Sequence, residues 1–295
     1  MKLTVMSSSE AFKHTSWRPA SSNIEQVQVV ENVRRIVYGP QKDKVTHRRA
    51  VTVLSAVDVL LAGGGKDYID ARIEDTYNPK RFIEGFVYIS ALGVFVHNSE
   101  VAQIERYPEK VSAGCIIAAG ARIIGDSHIV TKTELERGVS IVDSTIGDRS
   151  VVRKGTYVER TSIGGLSYLG QFMHVKESKV DSMYQGERKV VLGRGSEVGR
   201  QNYHGAHSIV KRGAWLDDSV RFGSHSFIGA EAQIGEMFNA GVHLHVGEGA
   251  VVGAESQFGS FVRVGRNAIL ASPTFASDGA ILTQSTIGLR PQTLK

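Results

Sequence analysis

A repeat of six residues runs without interruption from Leu192 to Phe275. The first positions of its fourteen hexads are Leu192, Val198, His204, Val210, Leu216, Phe222, Ile228, Ile234, Ala240, Val246, Val252, Phe258, Val264 and Leu270. Twelve of these residues are large and apolar, and the residue that follows is Gly in eleven hexads. A Ser, Ala, Thr or Val stands four places after the first position in eleven hexads. Neither an α-helix nor an ordinary strand has this period.

A six-residue period with apolar, glycine and small positions is typical of parallel β-helices. Each hexad then forms a short strand and a corner, and three hexads complete one triangular coil. The large residue points inward, the small residue fills the space beside it, and Gly adopts corner dihedrals that a Cβ disfavours. One inward position holds His204, whose ring we expect to be neutral because burial disfavours the charged form. We therefore predict a mainly β protein built on a left-handed parallel β-helix.

The spacing extends toward the N-terminus with two shortened steps. Inward positions are predicted at Ile117, Ile123, Ile129, Leu135, Ile141, Ile146, Val152, Val158, Ile163, Leu169 and Val175, and the steps to Ile146 and Ile163 span five residues. Residues 177–190 then carry no apolar residue at the expected places, which predicts an excursion loop. All six prolines lie outside residues 109–272, as expected for a continuous sheet ladder. We expect the β-helix over residues 111–275 and a C-terminal tail over residues 276–295.

Residues 1–110 lack the repeat, and we predict that they form a small mixed α/β or capping region. Residues 23–38 and 82–96 show the alternation of strands, whereas residues 45–62 show a rough helical stripe. We expect this region to cover the open end of the β-helix, because an exposed sheet edge favours aggregation.

The composition narrows the possible partners and compartments. The net charge is +5 with acidic and basic residues interspersed, which indicates no nucleic-acid partner. The single cysteine, Cys115, excludes a disulfide framework, and we expect it to be a buried thiol. The N-terminus lacks the apolar core of a signal peptide, and no segment is long and apolar enough to span a membrane. We therefore expect a cytoplasmic protein with no membrane partner.

Three histidines lie one coil apart on the outside of the predicted helix. His207, His225 and His243 are eighteen residues apart, each three places after an inward position, so they should stack about 4.8 Å apart. Ile209 and Phe227 lie on the same face, and His245 continues their column. An apolar stripe there should be covered by another subunit. The column fits interface packing, a catalytic histidine or a shared Zn²⁺. Three imidazoles in line cannot surround a tetrahedral ion without a ligand from another subunit, so we expect no metal site.

A family resemblance appears around the predicted loop. His174 precedes that loop, residues 192–199 read LGRGSEVG, and residues 205–213 read GAHSIVKRG. This order resembles hexapeptide-repeat acyltransferases of the maltose and galactoside acetyltransferase type. The resemblance implies that His174 is a general base taking a proton from an acceptor hydroxyl or amine. His225 or His243 is the alternative base, in a cleft between subunits.

The resemblance also implies the other participants in the reaction. The donor is expected to be acetyl-CoA or another acyl-CoA, bound along the outer groove between coils. Its phosphates would meet Arg263, Arg266 and Arg290. The acceptor is expected to be a small, sugar-like molecule, and the assembly a homotrimer. The predicted function is therefore acyl transfer from acyl-CoA to that acceptor.

Two other classes of function stay open on the sequence. The first is a non-catalytic structural or assembly protein, because the same repeat occurs in proteins of that kind. The second is a protein like the nucleotidyltransferases or the metal-dependent carbonic anhydrases. Residues 61–66 read LAGGGK and resemble the phosphate loop of sugar-nucleotidyltransferases, whereas the histidine column carries the metal-dependent alternative.

Overall fold

The chain forms a long stack of short parallel strands preceded by an antiparallel sheet. A computed structural model describes residues 26–36, 45–55, 68–74, 82–89 and 92–283. Residues 61–66, Arg290 and the last twelve residues of the predicted C-terminal tail lie outside these ranges. None of the described helices is long and apolar enough to cross a membrane.

The antiparallel sheet consists of β1 (Gln26–Ile36), β2 (Val45–Ser55), β3 (Tyr68–Glu74), β4 (Phe82–Ile89) and β5 (Val94–His97). Strands were predicted over residues 23–38 and 82–96, and β1, β4 and β5 confirm them. The helix predicted over residues 45–62 is wrong in its described part, because β2 pairs with β1 along its whole length. Three Val and two Thr in β2 favour an extended backbone, since β-branched side chains fit a pleated sheet.

A short helical segment joins this sheet to the β-helix. It comprises two 3₁₀ turns, Asn98–Glu100 and Pro108–Lys110, and the helix α1 (Val101–Arg106) between them. Ile104 of α1 is buried in the core, and the Gln103 side chain accepts a hydrogen bond from the Ile123 amide at 3.2 Å. Glu100 accepts another from the Gly120 amide at 2.8 Å. The segment therefore supplies partners to backbone groups at the first coil, as a capping region should.

The β-helix has three parallel sheets, which the chain visits in the order sheet 1, sheet 2, sheet 3. Sheet 1 continues from β5 through β6 (Ile116–Ile117), β9 (Glu134–Leu135), β12 (Val151–Val152), β15 (Tyr168–Leu169), β18 (Gln185–Gly186), β21 (Tyr203–His204), β24 (Arg221–Phe222), β27 (Asn239–Ala240), β30 (Gln257–Phe258) and β33 (Phe275–Ala276). Sheet 2 comprises β7 (Arg122–Ile124), β10 (Ser140–Val142), β13 (Tyr157–Glu159), β16 (His174–Lys176), β19 (Val191–Leu192), β22 (Ile209–Val210), β25 (Phe227–Ile228), β28 (His245–Val246), β31 (Arg263–Val264) and β34 (Ile281–Leu282). Sheet 3 comprises β8 (His128–Ile129), β11 (Thr145–Ile146), β14 (Ser162–Ile163), β17 (Lys179–Val180), β20 (Glu197–Val198), β23 (Trp215–Leu216), β26 (Gln233–Ile234), β29 (Val251–Val252) and β32 (Ile269–Leu270).

The predicted inward positions line the interior. Val198, Phe222 and Val246 are at most 3 % exposed, and the core is continuous from Ile89 to Leu270. Cys115 is a buried free thiol, and burial raises its pKa to about 12. The parallel ladder is longer than the predicted residues 111–275, because it begins at β5 and ends at β34.

The excursion loop predicted over residues 177–190 is wrong, because β17 and β18 continue the ladder there. A third five-residue step leads from Val175 to Val180, and Gly186 takes the next inward position. A Cβ on Gly186 would lie 2.6 Å from the Tyr184 hydroxyl and 2.7 Å from the Met173 methyl group. These two side chains fill the space that an inward apolar residue would occupy.

The coils therefore come in two lengths. Ile129 and Ile146 are in register seventeen residues apart, whereas Val210 and Ile228 are eighteen apart. We call the corners 1, 2 and 3, after the sheets 1, 2 and 3 that they follow. The short coils are the three in which the step across corner 2 spans five residues, and the long coils are those that follow Leu192.

Candidate functional site

A column of stacked rings runs along corner 1 of the long coils. His207, His225 and His243 adopt the left-handed backbone conformation with φ between 57° and 60°, which turns each side chain outward at the same point of its coil. Neighbouring imidazole centroids are 5.1 Å apart and the rings are within 10° of parallel. Phe261 continues the stack at 4.8 Å from His243. The predicted outward histidine column is confirmed, and we call these four residues the ring ladder.

A second column projects from sheet 2 beside the ring ladder. Ile209, Phe227, His245 and Arg263 are in register on consecutive strands. The Phe227 and His245 rings stack at 4.9 Å, and the Lys211 ammonium lies 5.7 Å from the centre of the Phe227 ring. Ile209 and Phe227 are half-buried, whereas His245 and Arg263 are exposed.

The two columns enclose a shallow groove of about 510 Å³. Its lining consists of His225, Phe227, His243, Leu244, His245, Phe261 and Arg263. Leu244 is buried and forms the floor. The groove combines imidazoles that can accept or release a proton, two aromatic rings and one guanidinium, so it can hold a ligand with apolar and anionic parts.

The structure brings three of the predicted site residues together. His225, His243 and Arg263 line the groove. His174 lies on the same sheet, three coils away from the Phe227 coil. Its ring packs against the Tyr157 ring with the centroids 5.0 Å apart and the planes tilted by 31°. Arg266 lies at corner 2, where its guanidinium pairs with Glu248 at 3.1 Å.

The surroundings of His207, the first residue of the ring ladder, favour a neutral imidazole. Desolvation by the neighbouring residues lowers the pKa of the exposed His207, and the charges of Lys189, His225 and Arg188 lower it further. A neutral imidazole can accept a proton, which is what a general base requires. Within the described residues, no group of three His, Cys, Asp or Glu side chains is placed to hold a metal ion.

His204 belongs to the core and not to this site. Its Nδ1 lies 3.2 Å from the Tyr184 hydroxyl, and its ring stacks on Phe222 at 4.3 Å. Nε2 has no hydrogen-bond partner in the described part of the chain. Burial lowers the pKa of His204 to about 3, which confirms the predicted neutral ring.

Sequence reasoning missed two residues of the groove, Phe261 and Leu244, and named the other five, which are His225, Phe227, His243, His245 and Arg263. Phe261 stands eighteen residues after His243. Leu244 occupies a small-residue position of the repeat. The eighteen-residue spacing would have found Phe261 if it had been followed by position and not by residue type.

The fold class follows from the three sheets, their parallel register and the six-residue step between strands. The chain is a left-handed hexapeptide-repeat β-helix. No protein-family model matches its sequence, and the search of curated proteins returned no match either. Two solved structures illustrate what the β-helix is similar to in fold.

The first is a UDP-N-acetylglucosamine acyltransferase from Campylobacter jejuni, which is 16 % identical to this chain. The match covers 60 % of this chain and 68 % of that one, with a TM-score of 0.38. The second is a UDP-N-acetylglucosamine O-acyltransferase from Moraxella catarrhalis, which is 15 % identical. Here the match covers 55 % of this chain and 71 % of the other, with a TM-score of 0.37.

Proposed function

We propose that this β-helix is an acyltransferase that moves an acyl group from acyl-CoA to a hydroxyl or amine of a small, sugar-like acceptor. The observation that carries the proposal is the groove, in which His225 and His243 lie beside Arg263. The same proposal includes a subunit contact over apolar residues that remain exposed beside the groove, and the resemblance to hexapeptide-repeat acyltransferases implies that the assembly is a homotrimer. Phe261 is 57 % exposed and Ile281 is 66 % exposed.

His243 is the proposed general base. Its ring stands between His225 and Phe261, so both faces are covered and only the edge with the two nitrogens can meet an acceptor. The imidazole takes the proton of the acceptor hydroxyl or amine, while the oxygen or nitrogen of the acceptor attacks the thioester carbonyl. The tetrahedral intermediate then expels the thiolate, which receives that proton from the imidazolium.

Arg263 is the proposed anchor for the donor. Its side chain is exposed in the groove and forms no ion pair with any described carboxylate. A guanidinium binds phosphate oxygens through two parallel hydrogen bonds, as a phosphate of CoA would require. Arg266 is already paired with Glu248 and contributes less to this role. Phe227 and Phe261 provide apolar surface for the part of the acyl-CoA molecule that links its phosphates to the thioester.

The test is thioester cleavage measured with a panel of acyl-CoA donors and of sugar and amine acceptors, together with calorimetric titration of each donor. We expect acceptor-dependent release of free thiol and donor binding. Arg263→Gln should raise KM for the donor more than it lowers kcat, because it removes a binding contact remote from the reacting atoms. Light scattering of the same protein should give the mass of three chains.

Two results would contradict the proposal. Absence of thiol release together with absence of donor binding would assign the ring ladder to packing in a non-catalytic assembly protein. Stoichiometric Zn²⁺ in the purified protein, with activity lost on chelation, would instead favour the metal-dependent alternative.

A further inference from the structure

The short coils and the coil after them carry cations on corner 1, directly below the ring ladder. Backbone hydrogen bonds stack this corner, from Gly155 to the Arg137 carbonyl at 3.1 Å and from Phe172 to the Lys154 carbonyl at 3.0 Å. The next coils continue the stack, with a bond from His207 to the Arg188 carbonyl at 2.9 Å. We call the exposed Arg137, Lys154, Arg188 and Lys189 the basic edge.

Corner 2 of the same coils differs, because its charged side chains form ion pairs with one another. Arg160 pairs there with Glu159 at 2.8 Å and with Glu177 at 2.5 Å, and Arg194 also pairs with Glu177. The sign of the charge alternates from coil to coil, so neighbours attract. The four residues of the basic edge form no ion pair with any carboxylate of the described chain.

The acidic side chains nearest in sequence to the basic edge are already engaged. Glu136 pairs with the buried Arg153 at 2.8 Å and accepts the Lys154 amide at 3.0 Å. Glu187 accepts the Tyr203 hydroxyl. Arg137 and Lys154 lie on adjacent coils, which are about 4.8 Å apart, and Arg188 and Lys189 are consecutive on one coil, so the like charges of each pair repel each other. An external anion would relieve this repulsion.

Phe172 lies in the middle of the basic edge and is 43 % exposed. A Cβ on Gly155 would come within 2.7 Å of its ring, and the Arg188 guanidinium lies 5.7 Å from the ring centre on the coil above. The ring is therefore held between two coils and presents its edge to solvent. A corner of a triangular coil is convex, so it cannot enclose a small ligand but can lie along a flat surface.

We propose that the basic edge docks the protein on an anionic lipid surface, with Phe172 entering the headgroup region. Cations attract anionic headgroups, and an aromatic side chain among them adds an apolar contact at the interface. A nucleic-acid partner is less well matched, because base stacking needs a free aromatic face. The docking surface is independent of the proposed catalysis, and it revises the expectation of no membrane partner.

The test is flotation of the full chain with vesicles of phosphatidylcholine alone or with about 30 % phosphatidylserine. We expect binding to the anionic vesicles only, and weaker binding as salt rises. The variant Arg137→Gln/Lys154→Gln/Arg188→Gln should bind about 100-fold more weakly, and Lys154→Gln alone about five-fold. The matched control Arg149→Gln/Lys179→Gln/Arg221→Gln loses the same charge on other faces and should change binding less than about three-fold.

Absence of binding to anionic vesicles would overturn the proposal, and so would an equal loss in the control variant. Tighter binding to single-stranded DNA or to polyglutamate than to vesicles would also overturn it, by assigning the edge to another partner. Phe172→Ala keeps every charge and should weaken vesicle binding several-fold. If the triple variant does not fold, the two single variants decide the question. Unchanged vesicle binding of both Phe172→Ala and Lys154→Gln would then overturn the proposal.

Discussion

The short coils and the long coils share three sheets but close corner 2 with different chemistry. Each coil has one small inward residue at this corner. In the first coil, the three short coils and the coil after them, this residue carries a hydroxyl: Ser127, Ser144, Thr161, Ser178 and Ser196. The following long coils hold Ala214, Ala232, Ala250 and Ala268 at the same position. All nine residues are buried, so the change from hydroxyl to methyl does not reflect exposure.

Backbone hydrogen bonding explains the change. In the long coils, the Ala232 amide donates to the Gly229 carbonyl three residues earlier in the same turn, at 3.4 Å. The five-residue corner has one residue fewer, and there the Thr161 amide donates to the Ser144 hydroxyl of the preceding coil, at 3.0 Å. A buried amide without a partner is costly, so each shortened corner depends on a hydroxyl one coil below.

The two regions also differ on their outer surface. Corner 2 of the short coils is held by alternating charges, and Lys176 lowers the pKa of Glu159 there by donating a hydrogen bond to it. Corner 1 of the long coils holds the ring ladder and the groove. The comparison teaches that corner 2 closes the coil, whereas corner 1 is free to present side chains to partners.

The sharpest test of this division compares two histidines. His243→Ala should lower kcat/KM for acyl transfer by about 10²- to 10⁴-fold, the usual contribution of a general base. His174→Ala, in a short coil and outside the groove, should lower it by less than about three-fold. Steady-state thiol release measures both values. Equal losses would remove the distinction between the two regions.

The junction between the regions should respond strongly to pH. The pKa of His204 is about 3 in the fold and 6.5 in a free side chain, so the unfolded chain binds the extra proton between these values. Its contribution is fully present above about pH 6.5 and falls as the pH drops, by up to about 1.4 kcal/mol per pH unit. Urea unfolding should therefore show a loss of about 2–3 kcal/mol at about pH 4.5.

A double variant supplies the control for the junction. Tyr184→Phe/His204→Leu removes both polar partners together and should be near neutral in stability at pH 7, because no buried polar group is left alone. Its stability should depend less on pH than that of the unsubstituted protein. An identical pH slope in both proteins would show that His204 does not carry the effect.

The hydroxyl column predicts an effect of intermediate size. Ser144→Ala leaves the Thr161 amide without its partner and should reduce the free energy of unfolding by about 1–3 kcal/mol. Ser196→Ala removes a hydrogen bond to the Ser178 hydroxyl but should cost less than about 1 kcal/mol. The amide one coil above, Ala214, donates to the Lys211 carbonyl at 3.3 Å within its own turn and does not depend on the Ser196 hydroxyl. Equilibrium urea unfolding measures the pair, and equal costs would refute the proposed dependence of short corners on hydroxyls.

The smallest effect is expected at the charged corner. Arg160→Gln breaks contacts to two carboxylates and should lower the midpoint of thermal unfolding by about 2 °C at low salt. Arg212→Gln breaks one exposed contact of 3.6 Å in the long coils, and its effect should be smaller still. Calorimetry in about 1 M NaCl should remove both differences. A difference that persists in salt would indicate a packing effect.

The six-residue period predicted most of the fold but failed where a five-residue step is followed by a glycine at an inward position. The inward positions, the histidine column and the first two shortened steps follow from the spacing of side chains along the sequence. The third shortened step was mistaken for a loop because it leads to Gly186, which has no side chain to mark an inward position. Met173 and Tyr184 occupy that space, and contacts of this kind between coils are not visible along one strand.

Outside residues 177–190, the sequence by itself determined which side chains face the interior and which residues stack, because a six-residue period around a triangular coil leaves one solution for both. Only the tertiary structure decided which columns become a site. It placed Leu244, Phe261 and Arg263 in one groove with His225 and His243, and it gathered onto one edge cations that are interspersed with acids along the chain. These outcomes depend on coils of seventeen and eighteen residues in succession, since a change of one residue per coil alters which distant residues become neighbours.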